Sequence, residues 1–178
     1  MPAPRSATIG QGRRGMPIGW RGMAPVALAI VALLGAALAG DLSPAPMLRW
    51  YAGLRRPEWQ PPDWVLPLAW GAIYALIALS TRRAWRAAPD RRAREVLVAA
   101  LALNLFLNLL WAVLFFVHRR PDWAMAEQPA LILSTLLLMA VAGGHDGRAG
   151  WLLMPYLAWL GFAAVLNLAI LRLNGFLG

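Results

Sequence analysis

Five stretches of this 178-residue chain are apolar for about seventeen to twenty-two residues each: 23–40, 64–80, 96–117, 123–143 and 151–171. An α-helix rises about 1.5 Å per residue, so even eighteen residues cover about 27 Å, close to the thickness of the hydrocarbon layer of a bilayer. Backbone in hydrocarbon must satisfy its own hydrogen bonds, which leaves helices as the form for such runs. The composition agrees: 60% of residues are apolar and 14% charged, where a soluble domain carries about 25% charged residues. The expected fold is an all-α membrane protein, a five-transmembrane-helix bundle with helices over about 23–40, 64–81, 95–117, 123–143 and 150–172. It forms a single domain, 23–174, behind a basic tail, 1–22. That tail is rich in Gly, Pro and Arg, lacks helical periodicity and reads as disordered.

The polar residues exclude several classes of chemistry. There is no Cys and no Lys, so thiolate nucleophiles, thiolate metal sites and lysine Schiff bases are ruled out. Two isolated histidines, His118 and His145, do not make a metal site. No Gly-x-Ser-x-Gly, phosphate-cradling Gly-rich loop or His-Glu-x-x-His occurs. The spans hold almost no ionisable residues, which argues against a proton-driven pump. A net charge of +9 raises nucleic-acid binding, yet the arginines lie between apolar runs rather than on one face. Arg5, Arg13, Arg14 and Arg21 are in the tail, Arg82, Arg83, Arg86, Arg91, Arg92 and Arg94 in the second loop, and Arg148 in the fourth. The remaining six are shared by the first and third loops and the C-terminus. Under the positive-inside bias the N-terminus and the 82–94 loop face the inside and the first loop the outside.

In the first run, Ala32, Ala36 and Gly40 form a small-residue row suited to close helix approach. The same region, with Ala37-Leu38-Ala39, also resembles a cleavable signal peptide. The loop from Leu42 to Asp63 contains Pro44, Pro46, Pro57, Pro61 and Pro62, which oppose a continuous helix. Yet it carries Trp50, Tyr51, Leu54 and Trp59, too aromatic for a plain linker, and is expected to form a structured lid. Trp70 and Tyr74 share a face of the second helix. Asn104, Asn108 and Trp111 share a face of the third, which must point inward because an amide in hydrocarbon needs partners. Those amides serve equally as interhelical glue or ligand contacts. Asp122 is placed to cap the fourth helix, and Pro129 to kink it. Glu127 reads first as an interfacial acid. Gly143-Gly144 reads as a flexible turn. Tyr156, Trp159, Ala163 and Leu166 recur along one face of the fifth helix, flanked by Phe162 and Asn167.

Trp70, Trp111, Trp123 and Trp159 come from four different helices. Converging, they form an apolar slot for a flat, greasy ligand such as a tetrapyrrole or a sterol. The alternative is the aromatic belt at the headgroups, which suits Trp64, Trp85, Trp123 and Trp151 better than Trp70, Trp111 and Trp159.

The stretch W-Y-A-G-L-R-R-P-E-W-Q-P-P-D-W-V-L at 50–66, with W-G-A-I-Y at 70–74, N-L-F-L-N-L-L-W-A-V-L-F-F at 104–116, P-Y-L-A-W-L-G-F at 155–162 and L-N at 166–167, resembles the translocator protein family (TspO/MBR, peripheral-type benzodiazepine receptor). The likeness spans about 24–174. It implies five transmembrane helices, a ligand pocket in the upper half of the bundle, the first loop as its lid, and homodimers. It implies binding of porphyrins and haem-like tetrapyrroles as ligands rather than cofactors. In some members it extends to sterols such as cholesterol and to benzodiazepine or isoquinoline ligands. The activity implied is binding in tetrapyrrole or stress signalling. Alternatives are light-dependent porphyrin degradation, through Trp70 and Trp159, and transport of tetrapyrroles or sterols. The matching ligand-binding positions are Tyr51, Trp59, Leu66, Trp70, Asn108, Trp111, Trp123, Trp159, Phe162, Ala163 and Leu166. The protein is expected in a bacterial membrane, inner or outer. Three departures stand out. Asn104 replaces the family's usual Gln, Pro67 lies three rather than two residues before Trp70, and the fifth helix lacks the Tyr of the proposed cholesterol motif.

Overall fold

The computed structural model describes residues 44–176. The tail, the 23–40 run and its row of small residues lie outside them. The helices are α1 Pro44–Ala52, α2 Val65–Ala87, α3 Arg91–Ala112, α4 Pro121–His145, α5 Gly147–Trp151 and α6 Met154–Leu173, with a π-helical turn Val113–Val117 continuing α3. No strand occurs among the described residues. Four helical stretches are long and apolar enough to cross a membrane: Val65–Ala87, Arg91–Val117, Pro121–His145 and Gly147–Leu173.

Local chemistry sets the boundaries. Asp90 caps α3 by accepting the Ala93 N–H at 2.8 Å, and Arg91 pairs with Glu95 one turn on. Arg82, Arg83 and Arg86 continue α2 rather than leaving it. The expected Asp122 cap is not present. The cap position is Arg120, without a side-chain bond, and Pro121 opens α4, where a missing N–H is tolerated. Asp122 instead pairs with Arg120. Gly143-Gly144 is not a turn either: both lie inside α4, which runs to His145. The chain leaves the helix only at Asp146, whose backbone is extended and whose side chain caps α5. A Cβ built on Gly150 meets Gly143 Cα at 3.0 Å and the Met139 carbonyl at 3.1 Å, so glycine lets α5 fold back against the end of α4. Arg83 and Asp146 pair at 2.8 Å beside this corner, and the Ser80 hydroxyl donates to the Ala149 carbonyl at 2.7 Å. The last span is divided, with Pro155 in the first turn of α6.

The middle of the bundle is a layer of Leu97, Leu131, Leu138, Leu153, Tyr156 and Leu160, all fully buried. In lipid such contacts stabilise by close packing rather than by water release, and polar groups add directional bonds. Asn104 of α3 donates to Ser134 at 3.0 Å and Thr135 at 2.8 Å of α4. Along the α4–α6 seam, Gln128 donates to the Leu160 carbonyl and Asn167 to the Pro121 carbonyl, each at 3.1 Å. The two bonds are seven residues apart on both helices, so α4 and α6 run antiparallel in a fixed register, with the clamps about 10.5 Å apart. Leu133, Leu136 and Leu137 point outward from α4, an apolar exterior that suits hydrocarbon.

Candidate ligand-binding site

A cavity opens above this layer, lined from α1, α2, α3 with its π turn, α4 and α6. Its free volume is about 80 Å³, below the roughly 300–1,000 Å³ of sites that hold drug-sized ligands, so a large ligand enters only if the walls part. The π turn shapes one wall. His118 N–H reaches the Val113 carbonyl at 3.0 Å, five residues back. The wider turn presents Trp111, Phe115 and Phe116 together to the cavity, and π turns are frequent at functional sites. Trp111 stacks on Phe115 with centroids 5.0 Å apart and planes 13° apart. On the opposite wall Trp70 meets Trp159 edge to face at 6.4 Å, and Trp159 meets Phe162 at 5.4 Å.

The segment between α1 and α2 straps this end of the bundle. Despite Pro44 and Pro46, residues 44–52 are helical, because both prolines fall in a first turn that needs no N–H partners. The loop expected over 42–63 thus begins with a short helix, and no helix continues from Gly53 to Asp63. Trp50 and Tyr51 of α1 sit on Phe115 at 5.7 and 6.2 Å. The strap is tied at its far side, where the Arg55 N–H donates to Asn174 Oδ1 at 2.9 Å and Asn174 Nδ2 donates back to the Arg55 carbonyl at 2.8 Å. Arg56 pairs with Asp63 at 2.8 Å and lies 5.5 Å from the centre of the Tyr51 ring. Burial holds the Tyr51 phenol above its ordinary range, against the lowering pull of Arg56.

Of the eleven positions singled out from the sequence, Tyr51, Leu66, Trp70, Asn108, Trp111, Trp159, Phe162, Ala163 and Leu166 line this one cavity. Two do not. Trp59 is 50% exposed and rests edge-on against the outer side of Phe162 at 5.9 Å. Trp123 is 53% exposed and lies under the Arg120 guanidinium at 4.5 Å, which draws its ring outward. The lining also includes Phe115, Phe116, Gln128, Leu131, Leu160, Asn167 and Ile170, which sequence reasoning did not assign to a pocket. Gln128 was detectable: it is another amide inside an apolar span, open to the same reasoning as Asn104 and Asn108. Phe115 and Phe116 were not, because a regular helix does not aim two adjacent residues at one wall.

The asparagines divide their work. Asn104 is fully buried and joins α3 to α4. Asn108 accepts the Tyr74 hydroxyl at 2.9 Å and donates to the Tyr156 oxygen at 3.1 Å while also lining the cavity, so it ties three helices at the cavity floor. The walls are otherwise aromatic and aliphatic. They can sequester a flat apolar molecule and offer it a few fixed polar contacts.

Together these features define an integral membrane protein of all-α build, with an aromatic cavity near one end of its helix bundle. Residues 26–173 match the TspO/MBR family. The chain is 35% identical over 148 residues to the tryptophan-rich protein TspO of Archaeoglobus fulgidus, covering 82% of this chain and 94% of that protein. It is 35% identical over 130 residues to the translocator protein of Homo sapiens, covering 71% and 76%. With the tryptophan-rich sensory protein of Cereibacter sphaeroides it shares 36% identity over 125 residues, covering 70% and 77%. The chain belongs to the TspO/MBR family.

Proposed function

We propose that this protein is a membrane receptor that binds porphyrins and related tetrapyrroles in the cavity, with the segment 50–63 acting as its lid. The reading is carried by one observation: Trp70, Trp111 and Trp159, from three different helices, line one apolar cavity together with Phe115, Phe116 and Phe162. Flat macrocycles bind to such walls by stacking and by burial of apolar surface. The rings already touch one another, so a macrocycle must part them on entry. Names of relatives, a "sensory protein" and a "translocator protein", are compatible with a binding role that is read out elsewhere. A homodimer and a signalling output in tetrapyrrole or stress responses belong to the same proposal.

The test is titration of the purified protein with protoporphyrin, following tryptophan fluorescence. Saturable quenching is expected, weakened by Trp70→Phe or Trp159→Phe. Quenching no greater than in protein-free detergent refutes the reading.

A second reading is light-dependent degradation of the bound porphyrin, with dioxygen as oxidant. It rests on the edge-to-face contact of Trp70 and Trp159 at 6.4 Å in the cavity wall, which sets two oxidisable rings beside a bound macrocycle. Illumination of the complex should bleach the porphyrin faster than in empty micelles, and Trp70→Phe should slow it.

A further inference from the structure

A second hollow lies at the other end of the bundle, between the start of α3 and the end of α4. It has a free volume of about 410 Å³ and is lined by Arg92, Val96, Ala140, Val141, Gly144 and His145, with Asp90 and Ala93 beside them. Its character changes along the helices. Arg92 lies one turn nearer the helix end than Val96, and His145 one turn beyond Val141. Toward the middle of the spans the exposed surface is apolar. Val96 is followed seven residues on by Leu103, and Ala140 is preceded seven residues back by Leu133; all four are exposed. Seven residues nearly complete two turns, so each pair shares a face over about 10.5 Å. The hollow thus has a charged head and an apolar track leading away from it.

Gly144 leaves the head open. A Cβ built there meets nothing within 4 Å, so no close approach among the described residues requires glycine, although glycine in a helix costs up to about 1 kcal/mol relative to alanine.

The charge at this end is unbalanced. Arg82, Arg83, Arg86, Arg91, Arg92, Arg94 and Arg148 meet three carboxylates, Asp90, Glu95 and Asp146. Arg83 takes Asp146 and Arg91 takes Glu95, while Asp90 Oδ1 accepts the Ala93 N–H. Arg92 has no carboxylate partner among the described residues. The positive-inside bias sets this end at the inner leaflet, whose anionic headgroups are complementary to basic hollows between helices.

We propose that this hollow binds one anionic phospholipid. The Arg92 guanidinium takes the headgroup phosphate as a fork, with the His145 ring beside it. An acyl chain lies along Val96, Leu103, Ala140 and Leu133. The surplus of arginines favours a net-negative headgroup over a zwitterionic one. The site is separate from the aromatic cavity and does not depend on what that cavity binds.

The test is native mass spectrometry of the full-length protein in neutral detergent, titrated with phosphatidylglycerol, phosphatidylethanolamine and phosphatidylcholine of the same acyl chains. One phosphatidylglycerol per chain should be retained, about fivefold more tightly than either zwitterionic lipid. Arg92→Ala should erase that preference. Arg86→Ala, which removes the same charge outside the hollow, should keep it. Gly144→Leu fills the hollow and should weaken retention, and Ala140→Trp gives the same readout if the leucine variant does not fold. Equal retention of phosphatidylglycerol and phosphatidylcholine overturns the proposal. Equal retention of phosphatidylglycerol and phosphatidylethanolamine also overturns it, because the net charge is then not read. An equal loss in Arg92→Ala and Arg86→Ala would reveal a diffuse field without a site. Undiminished binding in both filled variants would place the lipid elsewhere. Displacement of the lipid by equimolar glycerol phosphate would remove the acyl chain from the recognition.

Discussion

Asn174 and Arg55 hold each other through two reciprocal hydrogen bonds, 2.9 and 2.8 Å long, that join the end of α6 to the strap 119 residues earlier in the chain. The asparagine side chain mimics a backbone edge: its oxygen takes the Arg55 N–H and its nitrogen serves the Arg55 carbonyl. Asn174 Nδ2 also reaches the Ile170 carbonyl of its own helix, so the strap is tied to a helix terminus and not to a free tail.

Asn174→Ala should loosen the strap and leave the bundle intact. The bonds are exposed, so their loss costs about 1 kcal/mol, or roughly a fivefold change in the closed population. Limited proteolysis within 53–63 should accelerate by about that factor while the thermal midpoint stays nearly constant. Unchanged cleavage would mean that the aromatic contacts of Trp50 and Tyr51 alone hold the strap.

Asn108→Leu should be strongly destabilising. It leaves the fully buried Tyr156 hydroxyl without its Asn108 bond and also frees Tyr74. The expected cost is about 2–3 kcal/mol. Adding Tyr156→Phe should recover part of it, because the orphaned hydroxyl is then absent. Thermal unfolding of the two single variants and the double variant measures this coupling; strict additivity would show that the tyrosine and the asparagine act independently.

The Arg83–Asp146 pair predicts a pH dependence. Burial alone would raise the Asp146 carboxyl, but the Arg83 guanidinium and the N–H groups of Arg148 and Ala149 outweigh it and hold the group below its ordinary value of 3.8. A depressed carboxyl contributes stability above the unfolded value and loses it as pH falls through the folded one. Wild type should therefore exceed Asp146→Asn in thermal midpoint at neutral pH, with the gap closing below about pH 4. A gap that does not narrow as pH falls would show that the effect does not come from the carboxylate charge, since asparagine keeps the capping acceptor.

Gly150 and Gly143 differ in what they tolerate, although they face each other. At Gly150 an added methyl meets the Gly143 Cα and the Met139 carbonyl at 3.0 and 3.1 Å, whereas at Gly143 the nearest atom is 3.6 Å away. Gly150→Ala should cost about 1–2 kcal/mol by pushing α5 off α4. Gly143→Ala should be neutral or slightly stabilising, since alanine favours the helix. Equal effects in thermal unfolding would remove the close approach as the reason for the pair.

Much of the site was legible because helical spacing is a local property. Asn108 with Trp111, and Trp159 with Phe162, Ala163 and Leu166, each lie on one helix face, and the cavity unites them with Trp70. Spacing does not decide every position. Trp123, which the sequence left open to a pocket role or to the interfacial aromatic belt, turns outward under Arg120, a neighbour in the preceding loop. The glycines at 143 and 144 carry a turn signal, yet α4 continues through both to His145.

The sequence by itself determined that this chain crosses a membrane as helices, since apolar runs of about twenty residues with almost no charge satisfy their own backbone in hydrocarbon as helices. It also determined which helix faces are polar or aromatic, because 3.6-residue periodicity is written residue by residue. Only the tertiary structure decided which of those faces meet. The Gln128–Leu160 and Asn167–Pro121 register and the reciprocal tie of Arg55 to Asn174 are contacts between distant segments. Their partners are chosen by packing in three dimensions, which no local spacing encodes.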